Sequence, residues 1–99
     1  MSNIYEVILD TPVGKRFGKM NVLVQGQNIT GMLHILKVPE PFEGIVESNG
    51  QCRITGNLST LMRRIPYMAT GVIGEQIALE LVSGQERFWL IGKGENVNV

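Results

Sequence analysis

Turn signals recur along this chain at intervals that leave room only for short extended segments. Thr11-Pro12-Val13-Gly14, Gly26-Gln27-Asn28, Asn49-Gly50, Gly74-Glu75 and Ser83-Gly84-Gln85 are the five. Proline pre-sets a bend and glycine accepts the backbone angles that close one. Asn-Gly suits both left-handed positions of a type I′ hairpin turn, and here it is expected to join 42–48 to 51–60. Residues between the signals alternate apolar with polar, the period of a strand with one buried face. The sequence therefore predicts an all-β fold: about eight antiparallel strands in a meander, near 3–10, 16–25, 28–38, 42–48, 51–60, 63–73, 76–83 and 86–93.

Gly18, Gly31, Gly44, Gly56 and Gly71 fall inside these strand patterns. Interior glycine marks a bend or bulge, so the meander should curl into a small barrel or a strongly curved sheet. The exception to strand patterning is Ser59–Ile65, where Ser59 is placed to cap a single helical turn, or a kink, ended by Pro66. Pro39-Glu40-Pro41 makes a stiff crossing that leads into Phe42.

Alternation sorts the residues into two faces. Tyr5, Val7, Leu9, Met20, Val22, Val24, Ile29, Leu33, Ile35, Phe42, Val46, Cys52, Ile54, Leu58, Ile65, Tyr67, Ala69, Ile77, Leu79, Leu81, Phe88 and Leu90 form the expected core. The other face is solvated on strands four and five, through Glu43, Glu47, Arg53 and Thr55. It is apolar at Ile8, Met32, Leu36, Met68, Trp89 and Ile91. Monomers rarely expose contiguous apolar patches beyond a few hundred Å², so these six are the expected interface of a homodimer burying roughly 1,200–2,000 Å² in total.

The chain has 99 residues, one domain's worth, with 93–99 expected to be a flexible tail. Nine basic residues balance nine acidic ones, for a net charge of zero. That balance argues against nucleic-acid binding, which needs a basic field. No run of about 18 apolar residues signals a membrane helix, and no secretory signal is visible. One cysteine excludes an intramolecular disulfide, so a cytoplasmic location is expected.

Candidate chemistry is sparse. His34 is the single histidine, set among aliphatic residues without a nucleophile motif. Cys52 falls on the inner face, where a thiol is inert. One Cys and one His do not make a zinc tetrad, so no metal and no cofactor is expected. Glu43 and Glu47 share a strand face, as ordinary surface charges do. A small hydrolase-like enzyme is a third reading behind two others. The first is a non-enzymatic, self-associating domain with a scaffolding or regulatory role. The second is a small-ligand barrel with an anion or carboxylate site at Arg63, Arg64, Tyr67 and Trp89, since guanidinium groups recognise such anions.

Overall fold

A computed structural model describes residues 2–36 and 38–95. They form eight strands: β1 (Ser2–Thr11), β2 (Gly14–Gln25), β3 (Asn28–His34), β4 (Glu40–Val46), β5 (Gln51–Ser59), β6 (Arg64–Ile73), β7 (Gln76–Ser83) and β8 (Glu86–Gly94). Each pairs antiparallel with its neighbours in sequence, and β1 also pairs with β8, so the meander closes into a barrel. Of the two architectures open at the sequence level, the closed one is the structure.

The register fixes the barrel's shape. Cross-strand partners starting from Ser2 run Leu23, Thr30, Glu43, Thr55, Met68, Val82 and Arg87. Extending the β8–β1 register by two residues returns to β1 level with Pro12, ten residues beyond the start. Eight strands with a stagger of ten tilt by about 40° to the barrel axis, and a barrel of this size is filled by its own side chains. The filling matches the alternation. Every residue of the expected core is buried except Val24, which packs against it half-buried, and Ile73 joins from the end of β6.

Closure depends on inward-facing glycines. At Gly31 a Cβ would lie 1.8 Å from the Asn21 carbonyl oxygen and 2.6 Å from the Phe42 ring. At Gly44 it would lie 1.9 Å from the Arg53 carbonyl oxygen. The adjacent strand occupies the space a side chain would need, which lets the sheet bend sharply there. Gly18, Gly71 and Gly92 meet neighbouring carbonyls in the same way, and Gly92 was not foreseen as a bend. Phe42 lies between Gly31 and Gly56 on its two neighbouring strands, so one large ring covers two side-chain gaps.

Several local expectations need correction. Asn49 does not take a left-handed conformation; Gly50 alone does, at φ 89°. Glu47 N–H bonds the Gln51 carbonyl at 2.8 Å and Gly50 N–H bonds the Glu47 carbonyl at 2.9 Å. The connection is thus a three-residue loop with a left-handed glycine, rather than a two-residue type I′ turn. The Asn49 side chain instead accepts the Gln51 N–H at 3.0 Å. No helical turn forms over 59–65. Thr60 Oγ1 accepts the N–H groups of Met62 and Arg63 at 3.2 and 3.0 Å, closing a tight turn with Thr60 rather than Ser59 as its capping residue. Strand three ends at His34, not 38; Ile35 and Leu36 lie in a bend, and Lys37 lies outside the described residues. β4 begins at Glu40, inside the supposed stiff crossing. Lys93 and Gly94 belong to β8 rather than a tail, and Glu95 N–H bonds the Ile4 carbonyl at 2.8 Å. Residues 96–99 lie outside the described residues.

The glycine bends generate a contrast between two alanine substitutions. Gly31→Ala should lose about 1–3 kcal/mol or more, because the new methyl displaces backbone. Gly74→Ala, where a Cβ meets nothing within 4 Å, should stay within about 0.5 kcal/mol of wild type. Urea unfolding midpoints at unchanged slope measure both, and equal midpoints would show that the close approach at Gly31 is not what shapes the barrel.

Candidate functional site

The two ends of the barrel are built differently. At the end carrying the β1–β2, β3–β4, β5–β6 and β7–β8 connections, two glutamates pair with two arginines. Glu40 is the one buried charged residue among those described, 7% exposed. Alternation backwards from Phe42 sends it inward, and it takes up a position at the rim. The Ser59 hydroxyl donates to its carboxylate, and Arg64 Nη2 donates to Oε1 at 3.2 Å. The Ser59 hydrogen bond and the Arg64 guanidinium hold the Glu40 carboxyl below its ordinary range. Arg63 Nη2 donates to both carboxylate oxygens of Glu86, at 2.7 and 3.0 Å.

Those pairings bear on the anion site read from the sequence. Arg63 and Arg64 each face a glutamate. Tyr67 points into the barrel, where burial, aided by the Glu40 charge, pushes its hydroxyl up to about 12. Trp89 stands on the outer face of β8, with β7 between it and β6, opposite Asp10 and Glu80. The structure brings Arg64 and Tyr67 to the same end of the core but does not gather the four residues around one pocket. Glu40 is the member that sequence reading missed, although the period-two pattern pointed to it.

The opposite end, where β1 begins and β8 finishes, is an open mouth. A cleft of about 910 Å³ lies there, with Tyr5, Val22, Val24, Val46 and Ile73 among its walls and Asn3, Gln27, Glu47, Glu75 and Lys93 among its polar lining. Backbone hydrogen bonds lace its rim: Val46 N–H to Gln27 O, Ile73 N–H to Gly50 O, and Gly94 N–H to Glu75 O, at 2.8–2.9 Å. The Tyr5 hydroxyl adds a bond to the Gly74 carbonyl at 2.7 Å.

The third feature is the outside of the wall. Phe17, Ile8, Ile91, Ala78 and Val72 are successive cross-strand partners on β2, β1, β8, β7 and β6, so they form one apolar row. Barrel closure is what sets Ile8 beside Ile91. A surface cleft of about 440 Å³ opens beside them, lined by Glu6, Ile8, Phe17, Ile91 and Lys93 among others. Of the six expected interface residues, Ile8, Met68, Trp89 and Ile91 lie on strands of this wall. Met32, on β3, and Leu36, beyond its end, are half-buried and lie elsewhere.

Reactive side chains are dispersed. Cys52 is buried, and burial raises its thiol to about 11. His34 is exposed at the end of β3, across from Lys19. Among the described residues no group of three or more His, Cys, Asp or Glu is placed to hold a metal ion.

The buried hydroxyl and thiol predict an alkaline limb of stability. Tyr67 titrates at 10.0 unperturbed and about 12 in the fold, so the fold favours its neutral form. That contribution is fully present below pH 10 and is lost as pH rises toward 12; Cys52 acts likewise between 9.0 and about 11. Urea midpoints should fall across this window, and Tyr67→Phe should fall less steeply than wild type. Identical slopes in the two proteins would place the Tyr67 hydroxyl in water.

No protein-family model, no curated protein and no solved structure matches the chain.

Proposed function

We propose that this chain is a non-catalytic domain that works by self-association, in a scaffolding or regulatory role, with the outer wall around β1 and β8 as its contact surface. The observation that carries this reading is the apolar row. Phe17 is 72% exposed, Ile91 47%, and Trp89, one row away on β8, 51%. Aromatic residues are the side chains that concentrate binding energy when a partner desolvates them.

The row's height argues for a protein partner over lipid. Charges border it on both sides: Lys19, Glu6 and Lys93 in one adjacent row, Lys15, Asp10 and Glu80 in the other. A lipid-facing barrel carries an apolar band about 25 Å tall. Adjacent outward rows stand about 7 Å apart, so charge comes within one side chain of this row on either side. The described residues include no helix long and apolar enough to cross a membrane.

A second reading, binding of a small ligand, is favoured by the laced mouth at the barrel end where β1 begins. Its volume falls within the roughly 300–1,000 Å³ of small-molecule sites. This moves the ligand reading away from Arg63 and Arg64, whose charges are engaged by Glu86 and Glu40.

Light scattering across a dilution series tests the main reading. The wild-type mass should fall from dimer to monomer on dilution through the micromolar range. Ile91→Glu, at an outward position, should remain monomeric with an unchanged β-sheet spectrum. A wild-type monomer at every concentration would overturn self-association.

A further inference from the structure

We infer that a second copy of this chain covers the row in one particular orientation, related by a two-fold axis that runs parallel to the strands between β1 and β8. The inference rests on the self-association reading and adds the geometry that the charge pattern selects.

A two-fold axis lying in the contact plane along the strands keeps each row level and exchanges left for right. β1 then faces the partner's β8, and β2 faces the partner's β7. In the central row Ile8 meets the partner's Ile91, and bulky Phe17 meets the partner's Ala78, large against small. In the row toward the open mouth, Glu6 meets the partner's Lys93. In the row on the other side, Lys15 meets the partner's Glu80, and Asp10 meets the partner's Trp89, whose indole N–H is a hydrogen-bond donor. Each of these contacts occurs twice by symmetry.

The competing two-fold axis, across the strands, does the reverse. It keeps each strand over its own copy and exchanges the two charged rows. Glu6 then faces the partner's Asp10, and Lys19 faces the partner's Lys15. The same surface is self-complementary about one axis and self-repelling about the other. Like charges brought together at an interface cost enough to reject an orientation.

Most of the groups concerned are available; Lys19 is the exception, holding Glu95 at 2.8 Å. Among the described residues no ion pair within 4 Å involves Glu6, Asp10, Lys15 or Lys93. Glu80 is held only loosely, with Arg87 at 3.5 Å. Strands tilted about 40° make the two barrels cross at roughly 80°, so contact concentrates on the four strands nearest the axis. Four strands by three rows is about 20 Å by 20 Å, or about 800 Å² over the two faces, below the roughly 1,200–2,000 Å² expected from the sequence and of the size of weak, transient contacts, which agrees with micromolar rather than tighter association.

Charge reversal separates the orientation from association itself. Lys15→Glu places glutamate against the partner's Glu80 at both symmetric contacts. Glu80→Lys places lysine against the partner's Lys15 in the same way. Each variant alone should dimerise at least about tenfold more weakly than wild type, and an equimolar mixture should recover a heterodimer within about threefold of wild-type affinity. Sedimentation equilibrium on each variant, on the mixture and on wild type reads these outcomes. The mixture also controls for changes within each chain, beside Asp10 or Arg87, because those persist in it. A wild-type dimer whose two variants associate as well as wild type, or whose mixture fails to recover, would overturn the orientation and leave self-association standing. A wild type that stays monomeric throughout would overturn both.

Discussion

The structure depends on one steric constraint: neighbouring strands come so close at the inward glycines that a single methyl group has no place. At Gly31 and Gly44 the missing Cβ would sit under 2 Å from a carbonyl oxygen of the adjacent strand. Bends at such points let eight strands of this length turn a full circle. Closure then decides what lies beside what on the outside. Ile8 and Ile91 are 83 residues apart in sequence and become direct partners because β1 meets β8. The apolar row is a product of closure, and an open sheet of the same strands would split it between two edges.

The same closure assigns each region its chemistry. The interior is packed with aliphatic and aromatic side chains, and burial moves the Cys52 thiol and the Tyr67 hydroxyl away from reactivity at neutral pH. At one end, Glu40 keeps its charge near the core by bonding Ser59 and Arg64, and Arg63 is occupied by Glu86. A buried carboxylate with two partners is a structural arrangement whose disruption would strand a charge. Two surfaces that remain to meet another molecule are the laced mouth and the outer wall. Of these, only the wall sets large exposed apolar groups beside unpaired charges of both signs.

How much of this was legible in the sequence follows from the range of the forces involved. Strand alternation is local, and it placed the core nearly residue for residue, with Ile73 the one omission at the end of β6. Glycine inside a strand is a local mark of bending, and five of the six inward bends could be read from it; Gly92 was hidden near the end of a pattern. The turn at Asn49-Gly50 was located but given the wrong geometry. Asn49 satisfies its side chain with the Gln51 N–H and so has no need of the left-handed region. The partners of the two arginines were not legible for a different reason. Glu40 and Glu86 lie 24 and 23 residues away along the chain, and only the register shows that they arrive beside Arg64 and Arg63. Equally, Ile8, Trp89 and Ile91 were recognisable as outward and apolar, but their order in a row is a property of the stagger.

Zero net charge acquires a physical meaning against that pattern. A strongly charged barrel would resist self-association in every orientation, and an uncharged one would permit any orientation that buried the row. Here the charges sum to nothing but alternate around the apolar groups, so the long-range field is weak and the short-range field is selective. Physiological salt screens interactions beyond about 8 Å, which removes the first effect and spares much of the second, because the charged rows lie close to the row they border. In the proposed dimer the apolar row would supply most of the affinity and the bordering charges would choose among orientations. A two-fold contact doubles each choice, since every favourable or unfavourable pair appears twice. In a dimer of the proposed geometry, modest individual pairs, of the kind worth under about 1 kcal/mol at an exposed surface, would thereby add to a preference large enough to fix how one barrel sits against another.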